Sequence, residues 1–349
     1  MLKLIQSLFS RSTLKDQIEA STCETSLSLE EVTAVGILPF RIAEHLSSTD
    51  SLPVLDWSYA QAWVETIPDV EDRARAWNHL EHAWLKHLQQ ALGPAYSLRQ
   101  AGDSMLLSTL ETRTANATLQ YVSKTLQRVM RVLDGIAETS DWGNDILIVF
   151  DDEETYYRYV SHYYPGEGDF AASSGMHINS GCSHFVTVKA DLRAIEPIIA
   201  HEMTHSCLSH LPIPAWLNEG LAVNTEQRLS PSGSSILTPQ QMHAKHLAFW
   251  GNIEIQQFWS GKSFLRNDDG NMLSYDLARI LVSQLSSDWH AFRDFVLNAD
   301  MADGGESAAI EYLNRDLGAL ACTILERDFE AAWTPHPEAW DEAPEAGAF

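Results

Sequence analysis

Cysteine is scarce in this chain. There are four in 349 residues, Cys23, Cys182, Cys207 and Cys322, and no Cys-x-x-Cys pair among them. That excludes a disulfide framework and a thiolate zinc knuckle, and it fits reduced thiols in a cytoplasm. Positive charge is scarce as well: 23 Lys and Arg stand against 48 Asp and Glu, a formal net charge of −25. A surface that acidic repels phosphate backbones, so no nucleic-acid partner is expected. Long apolar runs are missing, with no stretch of about 18 apolar residues, so no membrane span is expected. The N-terminus, MLKLIQSLFSRSTLK, has basic residues and a short apolar stretch, but Gln6 and Ser7 interrupt it and no small-residue cleavage site follows. It reads as a helix docking on its own protein through Leu2, Ile5, Leu8 and Phe9, with a membrane-surface or targeting segment as the alternative. At 45% hydrophobic residues, the chain is too apolar for disorder and long enough for a well-buried core.

What is present is an ordered alternation of patterns. Residues 1–50 are polar and mixed, and SSTDS at 47–51 reads as a loop. Asp56 to Leu92 is helical in pattern, broken near Pro68 and stopped by Gly93-Pro94. Its Trp57, Trp63, Trp77 and Trp84 read as core. Tyr96–Gln100 and Met105–Leu110 read as strands around a Gly102-Asp103 turn, and Thr112–Ala137 as a long amphipathic helix. The run DILIVF at 145–150 is a compact apolar strand, and Asp151–Tyr164 a tyrosine-rich helix. Met176–Asn179 and His184–Lys189 are strand candidates before a strong helix over 192–210. The expected class is α+β: a small mixed sheet packed on that helix, a mainly helical C-terminal part, and an N-terminal helical region. The expected division is 1–93 and 94–349.

The helix over 192–210 contains His201-Glu202-Met203-Thr204-His205. Histidines at i and i+4 share a helix face, so both imidazoles can reach one metal ion. Glu202 projects beside it, where a carboxylate can take a proton from a water that the metal holds. The motif alone would arise by chance on the order of 0.04 times in such a chain, so its context matters. Zinc needs a third protein ligand. Leu211-Pro212-Ile213-Pro214 ends the first helix, a second starts near Ala215 and packs back, and Glu219 faces the histidines one turn into it. A third histidine is not expected, because Leu208 and Leu211 stand where a glycine and a histidine would be needed. Cys207 reads as a small buried thiol, and His210 as a helix-end residue.

HEMTH followed by PAWLNEGLA resembles the gluzincin zinc metallopeptidases, the HExxH-plus-Glu clan. The WLNEG segment is similar to the ligand helix of their aminopeptidase-N-like branch. The 13 residues between His205 and Glu219 form a shorter connection, which resembles the peptidase-MA-like bacterial domains. The match covers roughly residues 95–300. The resemblance implies one zinc ion on His201, His205 and Glu219, with a peptide or protein as substrate. Glu202 is then the general base, and Tyr275, in the segment LSYDLARILV, the oxyanion donor. His184 or His177 could serve in place of Tyr275. It also implies an edge strand for extended substrate, from Ser173–Ile178 or His184–Thr187, and support for the histidines from Asn224, Thr225 or Glu226. Val223-Asn224 departs from the acidic-aromatic pair often seen there. No GxMEN-type amine-binding stretch is present, which disfavours an aminopeptidase. Phe258–Phe264 reads as an ordinary packed loop and Asp268–Asn271 as a tight turn. Three functional expectations stand: zinc-dependent peptide hydrolysis, an inactive zinc-bound module that acts as a scaffold, or a helical interaction protein in which HEMTH is coincidental.

Overall fold

A computed structural model describes residues 28–49, 52–139, 142–163, 175–178, 180–190, 192–231 and 237–340. The amphipathic N-terminal segment, Cys23, and Ser173 and Ser174 lie outside the described residues. Two short antiparallel ladders come first: β1 (Glu31–Val32) on β2 (Phe40–Arg41), and β3 (Leu46–Thr49) on β4 (Leu52–Leu55). Residues 47–49 of the polar stretch therefore lie in a strand rather than a loop, while residues 50 and 51 lie outside the described residues. Backbone pairing of Ser47 with Val54 carries it, which side-chain polarity does not reveal. Helix α1 (Trp57–Glu65) starts where Asp56 accepts from Tyr59 N, and α2 (Val70–Leu92) where Asp69 accepts from Asp72 N. Pro68 separates the two, and Gly93, at φ +102°, ends α2 in a conformation that L side chains rarely adopt.

Strands β5 (Ser97–Ala101) and β6 (Ser104–Ser108) form a hairpin over Gly102. Then come α3 (Thr112–Val132), β7 (Asp145–Phe150), α4 (Glu153–Tyr163), β8 (Gly175–Ile178) and β9 (His184–Val188). These build one five-stranded mixed sheet in the order β5-β6-β7-β9-β8. Strands β6, β7 and β9 run parallel, while β5 and β8 are antiparallel edges. Strand β9 is thus internal, and of the two stretches expected to offer an edge only β8 does.

Alternation along β7 explains its unbroken apolar run. Leu147 and Val149 enter one core with Leu119 and Val122 of α3, whereas Ile146, Ile148 and Phe150 enter a second core on the opposite face. That second core holds Trp57, Trp77 and Trp84 from α1 and α2 and Tyr156 and Tyr159 from α4. The described residues before Gly93 therefore cover the sheet's second face. Trp63 is half-buried, its indole donating to the Leu38 carbonyl.

Helices α5 (Leu192–Leu208) and α6 (Ala215–Leu229) follow the sheet. The C-terminal part adds α7 (Pro239–Phe249), α8 (Asn252–Trp259), α9 (Asp269–Leu285), α10 (Trp289–Asn298), α11 (Glu306–Leu313) and α12 (Leu317–Ile324). The fold is α+β, with the mixed sheet packed on α5. No helix among the described residues is long and apolar enough to cross a membrane. Phe258–Phe264 is a packed segment: Phe258, Trp259, Ser263 and Phe264 are buried. Asp268 caps α9 by accepting from Gly270 N.

The second core encloses one carboxylate. Glu81 of α2 accepts from Trp77 Nε1 (2.8 Å), Asn144 N (3.0 Å) and Asn144 Nδ2 (2.6 Å). Burial pushes its carboxyl up to about 7 against those bonds. A folded-state value above the unfolded one gives stability that is complete below pH ~4.5 and lost as the pH rises through ~7. Between about pH 5 and 8 the wild type should lose roughly 2–3 kcal/mol of unfolding free energy that Glu81→Gln does not lose, measured by urea melts. Parallel pH profiles would contradict this.

Candidate metal centre

The site is made by two rods and a corner. Ile195, Ile199 and Met203 bury one face of α5 in the core with α3, which fixes the helix carrying His201, Glu202 and His205. At the corner, Pro212 O accepts from Met301 N, and Pro214 in an extended conformation begins α6. Trp216 anchors α6 by donating to the Gly304 carbonyl at 2.9 Å. Glu219, one turn in, returns toward the histidines.

The three ligand atoms converge. His201 Nε2 and His205 Nε2 are 3.1 Å apart, and Glu219 Oε2 lies 3.3 Å from the first and 3.4 Å from the second. Bonds of about 2.0–2.1 Å in a tetrahedron place neighbouring donors about 3.3–3.4 Å apart, so the triangle is the size of one tetrahedral face. Glu219 is 5% exposed, and its Oε2 accepts no hydrogen bond. A buried carboxylate oxygen left without a donor calls for a cation. Burial works to raise the Glu219 carboxyl, but positive charge on the imidazoles of His205 and His201, when they carry a second proton, outweighs it and holds the group far below the carboxylate range. Two imidazoles and one carboxylate suit a divalent ion of zinc type with a position left open. Among the described residues, no other group of three or more His, Cys, Asp or Glu side chains converges in this way.

Both imidazoles are oriented from behind. His201 Nδ1 donates to Glu226 Oε2 and His205 Nδ1 to Asn218 Oδ1, each at 3.1 Å. These bonds place the ring protons on Nδ1 and leave both Nε2 lone pairs facing Glu219. Of the three expected supports, Glu226 takes this role. Asn224 instead donates to the Gly220 and Arg279 carbonyls (2.7 and 2.9 Å), tying α6 to α9, and Thr225 is buried with no bond to either ring. Asn218 was not anticipated, although antiparallel geometry points to it. The histidine nearer the corner must meet the start of α6, and the one farther away a residue two turns later.

Glu202 lies beside the pair. Burial raises its carboxyl, the two imidazoles oppose that, and the His177 backbone N–H donates to it. Tyr275 of α9 stands across from them, its ring centroid 6.5 Å from that of His201. The charge of Glu219, then burial, then Glu202 push its hydroxyl well above the usual tyrosine value, so it stays a proton-bearing donor.

The alternative histidines are occupied. His177 lies on β8 with Nε2 hydrogen-bonded to Ser183 Oγ at 2.7 Å, and burial, with His205 and His184, pushes it down to about 3. His184 faces the second core, where Nδ1 donates to the Cys182 carbonyl and Nε2 accepts from Tyr159 OH. The pleat of β9 turns it away from the centre. Cys207 is a buried thiol pushed up to about 12 by burial. His210 is exposed, 3.9 Å from Glu138.

No protein-family model matches the chain, and no curated protein shows significant similarity to it. The orienting bonds have a measurable consequence. Asn218→Ala and Glu226→Ala should each weaken zinc binding about 10–100-fold in a chelator competition, whereas Asn224→Ala should leave it within about twofold. Unchanged affinity in the first two variants would contradict the orienting role.

Proposed function

We propose that this chain is a zinc-dependent peptidase of gluzincin type, with peptides or proteins as substrate. One observation carries the reading: the Nε2 atoms of His201 and His205 converge with the unsatisfied Glu219 Oε2, and Glu202 lies at the same place. The resemblance of HEMTH and PAWLNEGLA to the gluzincin ligand helices supports peptide bonds as the target. Sparse cysteines, unpaired among the described residues, suit a cytoplasmic setting.

His201, His205 and Glu219 would hold the ion. Bound there, zinc lowers the pKa of a water toward about 7 and polarises a carbonyl. The remaining work belongs to the chain. Glu202 accepts the proton of the attacking water as its oxygen adds to the amide carbon, and then delivers that proton to the departing nitrogen. Its carboxyl is suited to this traffic because burial raises it while the imidazoles keep it from rising further. Tyr275 donates a hydrogen bond to the oxyanion, and its raised hydroxyl keeps the proton for that purpose. Strand β8, the sheet edge packed on α5, would pair with an extended substrate.

The test is a peptide-library digest mapped by mass spectrometry, run beside metal analysis. Glu202→Gln should keep one zinc per chain and lose about 10²–10⁴ in kcat. A wild type that holds zinc yet cuts nothing, or a variant that cuts as well as the wild type, would overturn the reading.

A further inference from the structure

Gly220 occupies a position where glycine is costly. It sits inside α6, and glycine is the poorest helix former after proline, so its presence asks for a packing reason. The reason lies on α9. A Cβ at Gly220 would stand 2.6 Å from the Ala278 carbonyl oxygen, 2.6 Å from Val282 Cγ2 and 3.0 Å from the Ala278 carbonyl carbon. Two of those atoms are backbone and cannot turn aside, so any side chain at 220 displaces α9.

The same stripe of α9 carries the phenol. Tyr275, Ala278 and Val282 are spaced i, i+3 and i+7, hence on one face, with Tyr275 one turn before the contact. Asn224 reinforces the approach by bonding the Gly220 and Arg279 carbonyls together. On its other side Tyr275 meets Phe264 edge-on, with ring centroids 5.2 Å apart. The ligand residues sit on α5 and α6, so a retreat of α9 moves the phenol and leaves the ligand set in place.

We infer that Gly220 is a positioning residue: its missing side chain lets α9 close on the ligand-bearing helix, and that contact sets how far Tyr275 reaches toward the metal centre. The effect on turnover rests on the peptidase reading above, while the placement itself does not. A purely structural role would lower stability without acting through one hydroxyl.

Two measurements decide it. In kinetics, Tyr275→Phe should lower kcat about a hundredfold. Gly220→Ala should lower kcat about tenfold or more alone, but less than about twofold in the Tyr275→Phe background, because both changes withdraw the same hydrogen bond. Leu281→Ala, which hollows the core on the same helix without pushing it, should keep kcat within about twofold. Independent, multiplying effects of Gly220→Ala and Tyr275→Phe would overturn the inference, as would an equal loss in Leu281→Ala.

The second measurement needs no turnover. With 3-fluorotyrosine at position 275 and Co²⁺ as the bound probe, the fluorine line should be broad in the wild type. It should narrow in Gly220→Ala at the same metal stoichiometry, and equal widths would overturn the inference. Should Gly220→Ala fail to fold, Gly220→Ala with Val282→Ala removes one of the opposing contacts and should show a smaller narrowing in the same direction. A chain that cuts no peptide would remove the peptidase reading and leave the line widths to judge Gly220.

Discussion

A carboxylate buried between two imidazoles governs the arrangement around it. Removing the Glu219 charge from water costs several kcal/mol unless positive charge compensates it at close range. The triangle answers this with a place for a divalent ion: two Nε2 lone pairs, 3.3 and 3.4 Å from Oε2, face the same point as the carboxylate oxygen. Bringing those atoms together requires α5 and α6 to run back to back. That in turn requires a corner between them too short to wander. Pro212 and Pro214 supply the stop, and the bonds from Met301 to Pro212 and from Trp216 to Gly304 fasten the corner to the C-terminal helices.

The two imidazoles are held by unlike partners. His201 leans on the carboxylate of Glu226 and His205 on the neutral amide of Asn218. A charged partner makes its imidazole the stronger donor, so the pair is graded rather than symmetric. Tyr275 and Glu202 stand at the same centre from different elements, one on α9 and the other on α5. The sheet contributes through β8, whose His177 N–H steadies Glu202. Gly175 in that strand has no room for a side chain against Ile198 of α5, so the edge strand lies close on the helix that carries the two histidines.

Much of this was legible because the relevant signals are short-range. Spacing of four on a helix puts His201 and His205 on one face, prolines end helices, and the apolar run at 146–150 reads as a compact strand. Gly93, Gly102 and Pro68 marked their boundaries for the same reason. What escaped depends on registration between elements distant in sequence. Strand β3 is largely polar in composition and is held to β4 by backbone pairing. Whether His184 or Phe185 faces the metal side depends on the pleat of β9 relative to α5, and spacing along one strand carries no record of it. Asn218, which was missed, and Glu226 rather than the other two candidates support the rings because two rods run antiparallel at a particular offset, and that offset is set by packing at the corner and on α9.

X-ray absorption at the zinc edge of the loaded protein tests the central claim most directly. The account predicts one zinc per chain in a shell of nitrogen and oxygen at about 2.0–2.1 Å, with the outer-shell scattering of two imidazoles and no sulfur. That scattering should weaken by one ring in His201→Ala. A shell containing sulfur, a shell without imidazole scattering, or a protein that retains no stoichiometric zinc would contradict it.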